Sequence, residues 1–246
     1  MFILFFQVHP HSKHVGIYGQ WLTTWSPTNS TTTTTTTTTC SQENALFLED
    51  DIIVSKAFYK WLKTMHKLYA DRTDFSGFSS QSNDKVIKMG GRDVTKHLAV
   101  PNHHPIYLYR ILGTWGFSPV RRVWAEFLTW YDLVKDDPSF HPYVDGILPT
   151  GWYRGFEATA KRKGRREDTM WSMWFIYYTH VKGLYCLYKN GPGGLSVNQE
   201  LPGLHFSTLK KVSTEGLVQN WSPIRAFVAD PVRIRYDGSI VDNGQT

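Results

Sequence analysis

Nine consecutive threonines at 31–39 set the strongest limit on what this chain can fold into. A uniform polar tract has no apolar periodicity, so it can neither fill a core nor hold a strand in register. Residues 26–43 therefore read as a disordered surface loop between a strand-and-helix piece at 1–25 and a main body at 44–246. Of the chain's 246 residues, 41% are apolar, enough for the main body to bury a core as one domain. The start, "MFILFFQV", is apolar for too short a run to span a bilayer and lacks the basic flank of a signal peptide, so it reads as a buried strand. No membrane anchor is expected in this chain.

Past the tract, strand-like and helix-like segments alternate, which predicts an α/β class with a mixed sheet flanked by helices. "ALFL" at 45–48 reads as a buried strand. At 55–69, Phe58, Leu62, Met65 and Tyr69 share one helical face, Lys56, Lys60, Lys63 and Lys67 lie away from it, and Ser55 is the expected N-cap. Residues 74–82 read as a strand and turn, 83–105 as irregular, and 106–119 as a strand with a glycine-rich end. At 120–134 a helix is predicted through Val123, Phe127, Trp130 and Val134, followed by a loop through Pro149. A helix from 166, a turn at Gly183 and a strand to 190 come next, and "VRIRYDG" near the end reads as a hairpin strand.

Between the first strand and the first helix of the main body stand Glu49, Asp50 and Asp51. Three adjacent carboxylates at the end of a buried strand need compensation. Solvent at an exposed turn supplies it in one reading. A hard divalent cation, Mg²⁺ or Mn²⁺, supplies it in the other, because such ions prefer carboxylate oxygens and keep positions open for phosphate. Along an extended segment Glu49 and Asp51 point to one side and Asp50 to the other. The residues alone leave both readings open.

The order of motifs adds a resemblance. "GIYGQWLTTW" precedes the triplet, "LEDDIIVSKAFYKWL" contains it, and "GFSSQ", "YRILGTWGFSP", "REDTMWSMW" and "GLHF" follow in turn. This succession resembles the GT-A glycosyltransferases, in particular the group typified by N-acetylglucosaminyltransferase I, over roughly residues 15 to 206. The resemblance implies a metal-dependent inverting enzyme that moves a sugar from a nucleotide-sugar donor to a hydroxyl of a glycan or glycoprotein. It also implies a place in the lumen of the Golgi or secretory pathway. The chain departs from the pattern in one respect. Only residues 1–48 precede the triplet, so an incomplete N-terminal nucleotide-binding half is expected.

Carried over by motif, Asp51 would coordinate Mn²⁺ or Mg²⁺ at the donor diphosphate. Glu49, Asp50 and Gln20 would contribute to nucleotide-sugar binding. Asp168, with Glu167 beside it, would supply the general base. His205 in "GLHF" would be a late metal or phosphate ligand, and Trp115, between two glycines, a sugar-stacking wall. Each has a plainer explanation: helix capping for the Glu167–Asp168 pair, structural packing for His205, core packing for Trp115. The run "KRKGRR" at 161–166 and a formal charge of +6 suit an anionic partner. They leave two other readings: a non-catalytic carbohydrate- or nucleic-acid-binding domain, and a metal-dependent phosphohydrolase. Nucleic acid is not the expected partner. No phosphate loop, dinucleotide fingerprint, zinc-protease motif or nucleophile elbow occurs, and two cysteines exclude a disulfide framework.

Overall fold

A computed structural model describes residues 10–27, 44–81, 100–162, 170–199, 214, 216–221, 228 and 230–241. The expected N-terminal strand, the Thr tract, most of the 83–105 segment, Glu167, Asp168 and His205 all lie outside them.

The main sheet has six strands in the order β4(Phe117–Pro119), β2(Phe75–Ser79), β5(Tyr185–Lys189), β3(Ile106–Tyr109), β7(Val232–Ile234), β8(Ile240–Val241). It is mixed, as the alternation of elements predicts. β2–β5 and β3–β7 pair in parallel, and β2–β4, β3–β5 and β7–β8 antiparallel. A separate antiparallel ribbon pairs β1(Ile52–Val54) with β6(Ser196–Asn198).

Among the described residues five helices accompany the strands: α1(Gly16–Thr23), α2(Phe58–Tyr69), α3(Arg121–Val134), α4(Leu148–Arg162) and α5(Trp171–Val181). α2 packs on β2, while α1, α3 and α4 gather around α5. The two faces of the sheet are set by β2. Strict alternation would send Phe75 and Phe78 to opposite sides. A register shift between Phe75 and Gly77 turns both toward α2, where Phe75 meets Tyr69 and Phe78 meets His66. Phe117 of β4 covers the other face at Gly77 and meets Phe175 of α5 edge-on, 5.5 Å between ring centres.

The expected helix at 55–69 forms, with one change of emphasis. Trp61 joins Met65 and Tyr69 in the core, while Phe58 and Leu62 are only half-buried. Ser55 does not cap the helix from the expected position. Its hydroxyl accepts the Ala57 N–H at 3.2 Å, a local turn that leads into α2. α3 follows its prediction, and Trp124 and Tyr131 widen the buried face.

Two expectations fail. "ALFL" is not a regular strand: only Phe47 pairs, with Phe117, and Leu48 is exposed. The strand comes after the acids, as β1. The second is α4, which begins at Leu148, inside the loop expected through Pro149, and runs to Arg162 over a stretch for which no element was predicted. Gly151 and Gly155 lower its intrinsic helicity, but Pro149 in its first turn is permitted there and Tyr153 anchors it in the core.

Gly77 is a place where backbone proximity demands glycine. A Cβ would stand 2.5 Å from the Phe117 ring and 2.7 Å from the Ser118 carbonyl oxygen. Gly77→Ala should cost about 1–3 kcal/mol by forcing β2 and β4 apart, read as a fall in the urea midpoint at unchanged m-value. An unchanged midpoint would mean that this strand pair yields easily.

Candidate functional site

The acidic triplet sits at a turn, closed by the Ile52 N–H donating to the Glu49 carbonyl at 3.2 Å. Glu49 and Asp51 are half-buried and Asp50 is exposed, the alternation expected from the sequence. The three carboxylates then have different fates.

Glu49 lies under the aromatic layer. The Trp21 indole N–H donates to its carboxylate. Trp21 itself stacks between Phe47, 4.6 Å away, and Trp171, 3.9 Å away. This one ring therefore ties α1, the segment entering the triplet and the first residue of α5. Burial pushes the Glu49 carboxyl up to about 7, the charges of Asp51 and Asp50 push the same way, and the Trp21 bond opposes them.

Asp51 is braced from β6. Its Oδ2 accepts the Asn198 side-chain amide at 2.8 Å, and its carbonyl accepts the Gln199 N–H at 2.7 Å. Its Oδ1 is buried and has no hydrogen-bond partner among the described residues. A buried carboxylate oxygen without a donor is costly. It fits a cation, and this is the one acceptor in the triplet so placed. Among the described residues no group of three or more His, Cys, Asp and Glu side chains could hold a metal. An ion held there would draw most of its shell from outside these side chains, as Mg²⁺ commonly does with phosphate oxygens and water. His103 and His104 lie together, 4.0 Å between rings, without a third ligand among the described residues.

The glycine-rich segment 113–116 is seated beside this turn. The Trp115 carbonyl accepts two hydroxyls, Ser80 at 2.8 Å and Ser196 at 2.9 Å. Ser79 donates to the Gly113 carbonyl at 3.0 Å. Both glycines are required by proximity. A Cβ on Gly113 would stand 2.6 Å from the Ser79 hydroxyl, and one on Gly116 would stand 2.1 Å from the Ser80 hydroxyl and 3.4 Å from Leu48. The "SSQ", "GTWG" and "SVN" segments are thus one polar weave, and it carries β6 to Asp51. Trp115, expected as a stacking wall, is half-buried and contributes its backbone carbonyl here.

Gln20 is exposed. Its side-chain carbonyl accepts the Thr24 hydroxyl at 3.0 Å and lies 3.3 Å from His11 Nε2. The tryptophan next to it, Trp21, makes the contact with the triplet that sequence reasoning assigned to neither. Sequence reasoning also missed Lys189. Its ammonium, at the end of β5, donates to the carbonyls of Asn190, Pro192 and Gly193 at 2.9–3.0 Å and to Gly191 at 3.4 Å. It thereby folds the "NGPGG" turn that leads into β6. Burial lowers its pKa to about 8. The only signal for it in the sequence is a lysine directly before a glycine-rich turn.

Neither of two concavities flanking α3 is lined by the triplet. One, about 280 Å³, lies between α1 and α3. No protein-family model matches the chain, and no curated protein matches it.

Glu49 holds its proton more tightly folded than unfolded. Its share of stability is therefore complete below about pH 4.5 and lost as pH rises through about 7. Glu49→Gln removes this titration. Between pH 5 and pH 8 the wild type should lose stability relative to the variant, measured as denaturation midpoints at each pH. Parallel curves would show that Glu49 titrates normally.

Proposed function

We propose that this chain is a metal-dependent, inverting glycosyltransferase domain that uses a nucleotide-sugar donor. The observation that carries the reading is the Asp51 carboxylate, with one oxygen braced by Asn198 and the other buried without a donor. The motif order supports it, and the mixed sheet flanked by helices is compatible with it.

In this reading Asp51 Oδ1 would hold Mn²⁺ or Mg²⁺, which when bound would supply positive charge beside the leaving diphosphate. Asn198 keeps the carboxylate from rotating away. Glu49 and Asp50 face the nucleoside; with a pKa near neutrality, Glu49 can accept from or donate to a hydroxyl. Trp21 fixes the Glu49 carboxylate. Asp168 is assigned the general base by the resemblance alone. It takes the proton of the acceptor hydroxyl as that oxygen attacks the anomeric carbon and the bond to the diphosphate oxygen breaks. The chain enters α5 at Trp171, whose ring rests on Trp21 above Glu49, which suits a base carried just ahead of that helix. Glu167 is the next candidate for the base, and His205 a further ligand. The acceptor is a glycan or glycoprotein hydroxyl, and a secretory-pathway location goes with the resemblance.

The two acidic motifs should separate experimentally. Asp51→Ala should abolish Mn²⁺-dependent binding of a nucleoside diphosphate in calorimetry, together with sugar transfer. Asp168→Asn should leave that binding intact and lower transfer by about 10²-fold or more. Wild-type transfer by Asp168→Asn would move the base elsewhere. Normal binding by Asp51→Ala, or equal wild-type affinity with and without chelator, would reduce the triplet to a solvated turn.

A further inference from the structure

We propose that Arg110 and His180 bind a phosphate group, with Tyr236 positioning the imidazole. The site lies at the opposite end of the main sheet from the acidic turn and does not rest on the glycosyltransferase reading.

Arg110 directly follows β3, whose last residue, Tyr109, pairs with Cys186 near the start of β5. The ribbon that carries Asn198 meets the sheet past the other end of β2, where Ser196 bridges to Gln81. The half-buried Arg110 guanidinium lies over the Tyr185 ring, 4.4 Å from its centre. A Cβ built on Gly183, in the turn after α5, would stand 3.9 Å from a guanidinium nitrogen, so the group lies against the end of that helix. Stacking uses the face of a guanidinium and leaves its in-plane N–H donors unused. Among the described residues nothing accepts from them. The acids of this region are committed elsewhere: Asp74 takes Arg72 and Arg233, each at 2.9 Å, Asp230 takes Arg233 at 3.0 Å, and Asp237 accepts from Ser239. The helix end does not claim the guanidinium either. Its Tyr178, Thr179 and His180 carbonyls accept the N–H groups of Lys182, Leu184 and Gly183. Arg110 thus carries a surplus charge and a free set of donors.

His180 adds a donor from a second element. Its ring stacks on Tyr236, 5.7 Å between centres, and its Nδ1 is hydrogen-bonded to the Tyr236 hydroxyl. Burial pushes that hydroxyl up to about 12, so it keeps its proton. Nδ1 is its acceptor among the described residues, so the hydroxyl donates there and the neutral imidazole carries its own proton on Nε2. Burial and the charge of Arg110 both lower the His180 pKa, which keeps the ring neutral in the empty site. Tyr236 is held in turn by its carbonyl, which accepts the Tyr109 hydroxyl at 3.1 Å. His180 is exposed, so its Nε2–H is open to a ligand.

These donors select phosphate. The Arg110 fork takes two oxygens, and His180 takes a third, which a phosphate has and a carboxylate lacks. A phosphate dianion also draws a proton onto His180, and the Tyr236 hydroxyl then turns to accept from Nδ1. Two negative charges meet two positive ones.

Titration of the full chain with inorganic phosphate in the presence of chelator, followed by NMR of the His180 imidazole and the Arg110 guanidinium, tests this. Both signals should shift together and saturate, the His180 pKa should rise on binding, and acetate should bind about tenfold more weakly or worse. Asp51→Ala should bind phosphate as the wild type does. Arg110→Met keeps a stem over Tyr185 and should abolish binding, while Arg110→Lys keeps the charge without the fork and should weaken it about tenfold. Tyr236→Phe keeps the ring, releases the imidazole and should weaken binding several-fold. Tighter binding of phenyl phosphate would mark a phosphate ester as the ligand, and equal binding would mark free phosphate. Shifts that never saturate or that spread over the exposed lysines, equal binding of acetate, loss of binding in Asp51→Ala, or full binding by a folded Arg110→Met variant would overturn the proposal.

Discussion

The position of the acidic turn depends on one indole. Trp21 stacks between Phe47 and Trp171 and hydrogen-bonds Glu49, so three segments far apart in sequence meet in a single aromatic contact. Stacked rings of this kind add about 0.5–1.5 kcal/mol per pair beyond the area they bury. The larger consequence is geometric. Without Trp21, α1 keeps buried Leu22 and the Tyr18–Tyr131 contact, but Glu49 loses its donor and the entry to α5 is no longer fixed beside the triplet.

A second, polar constraint works from the opposite side. The Trp115 carbonyl collects Ser80 and Ser196, and the Lys189 ammonium gathers the turn before β6. Together they present Asn198 to Asp51. The acids are thus held from two sides, by an apolar stack at Glu49 and by a hydrogen-bonded strand at Asp51. The arrangement leaves Glu49 near its titration point and Asp51 with a bare buried oxygen, two features that a solvated turn would not need.

Much of the fold was legible in the sequence where a single periodicity dominates. α3 and α5 have wide apolar faces, β5 is a short apolar run, and the β7–β8 hairpin announces itself with Asp237-Gly238, the glycine at φ 88°. The misses have specific physical causes. The bulge in β2 puts Phe75 and Phe78 on one face, which alternation forbids. α4 owes its existence to packing by Tyr153 rather than to propensity. β1 is only three residues long and exists because β6 pairs with it, a contact across more than half the chain. At the site, Glu49 and Asp51 were readable as acids, but the extended backbone expected to carry them is a turn, which places Asp50 alone in solvent. The Trp21 bond, the Asn198 brace and the Lys189 turn are long-range or three-dimensional contacts with no local pattern to reveal them.

Asp51 with its bare oxygen is the proposed cation site. Manganese is paramagnetic and broadens resonances close to it, so a Mn²⁺ titration followed by ¹⁵N NMR tests the claim directly. The Asn198 side-chain amide and the Gln199 backbone amide, both bonded to Asp51, should broaden first and selectively, with the Trp21 indole following. Broadening that begins at His103 and His104, or that spreads uniformly over the surface, would contradict it.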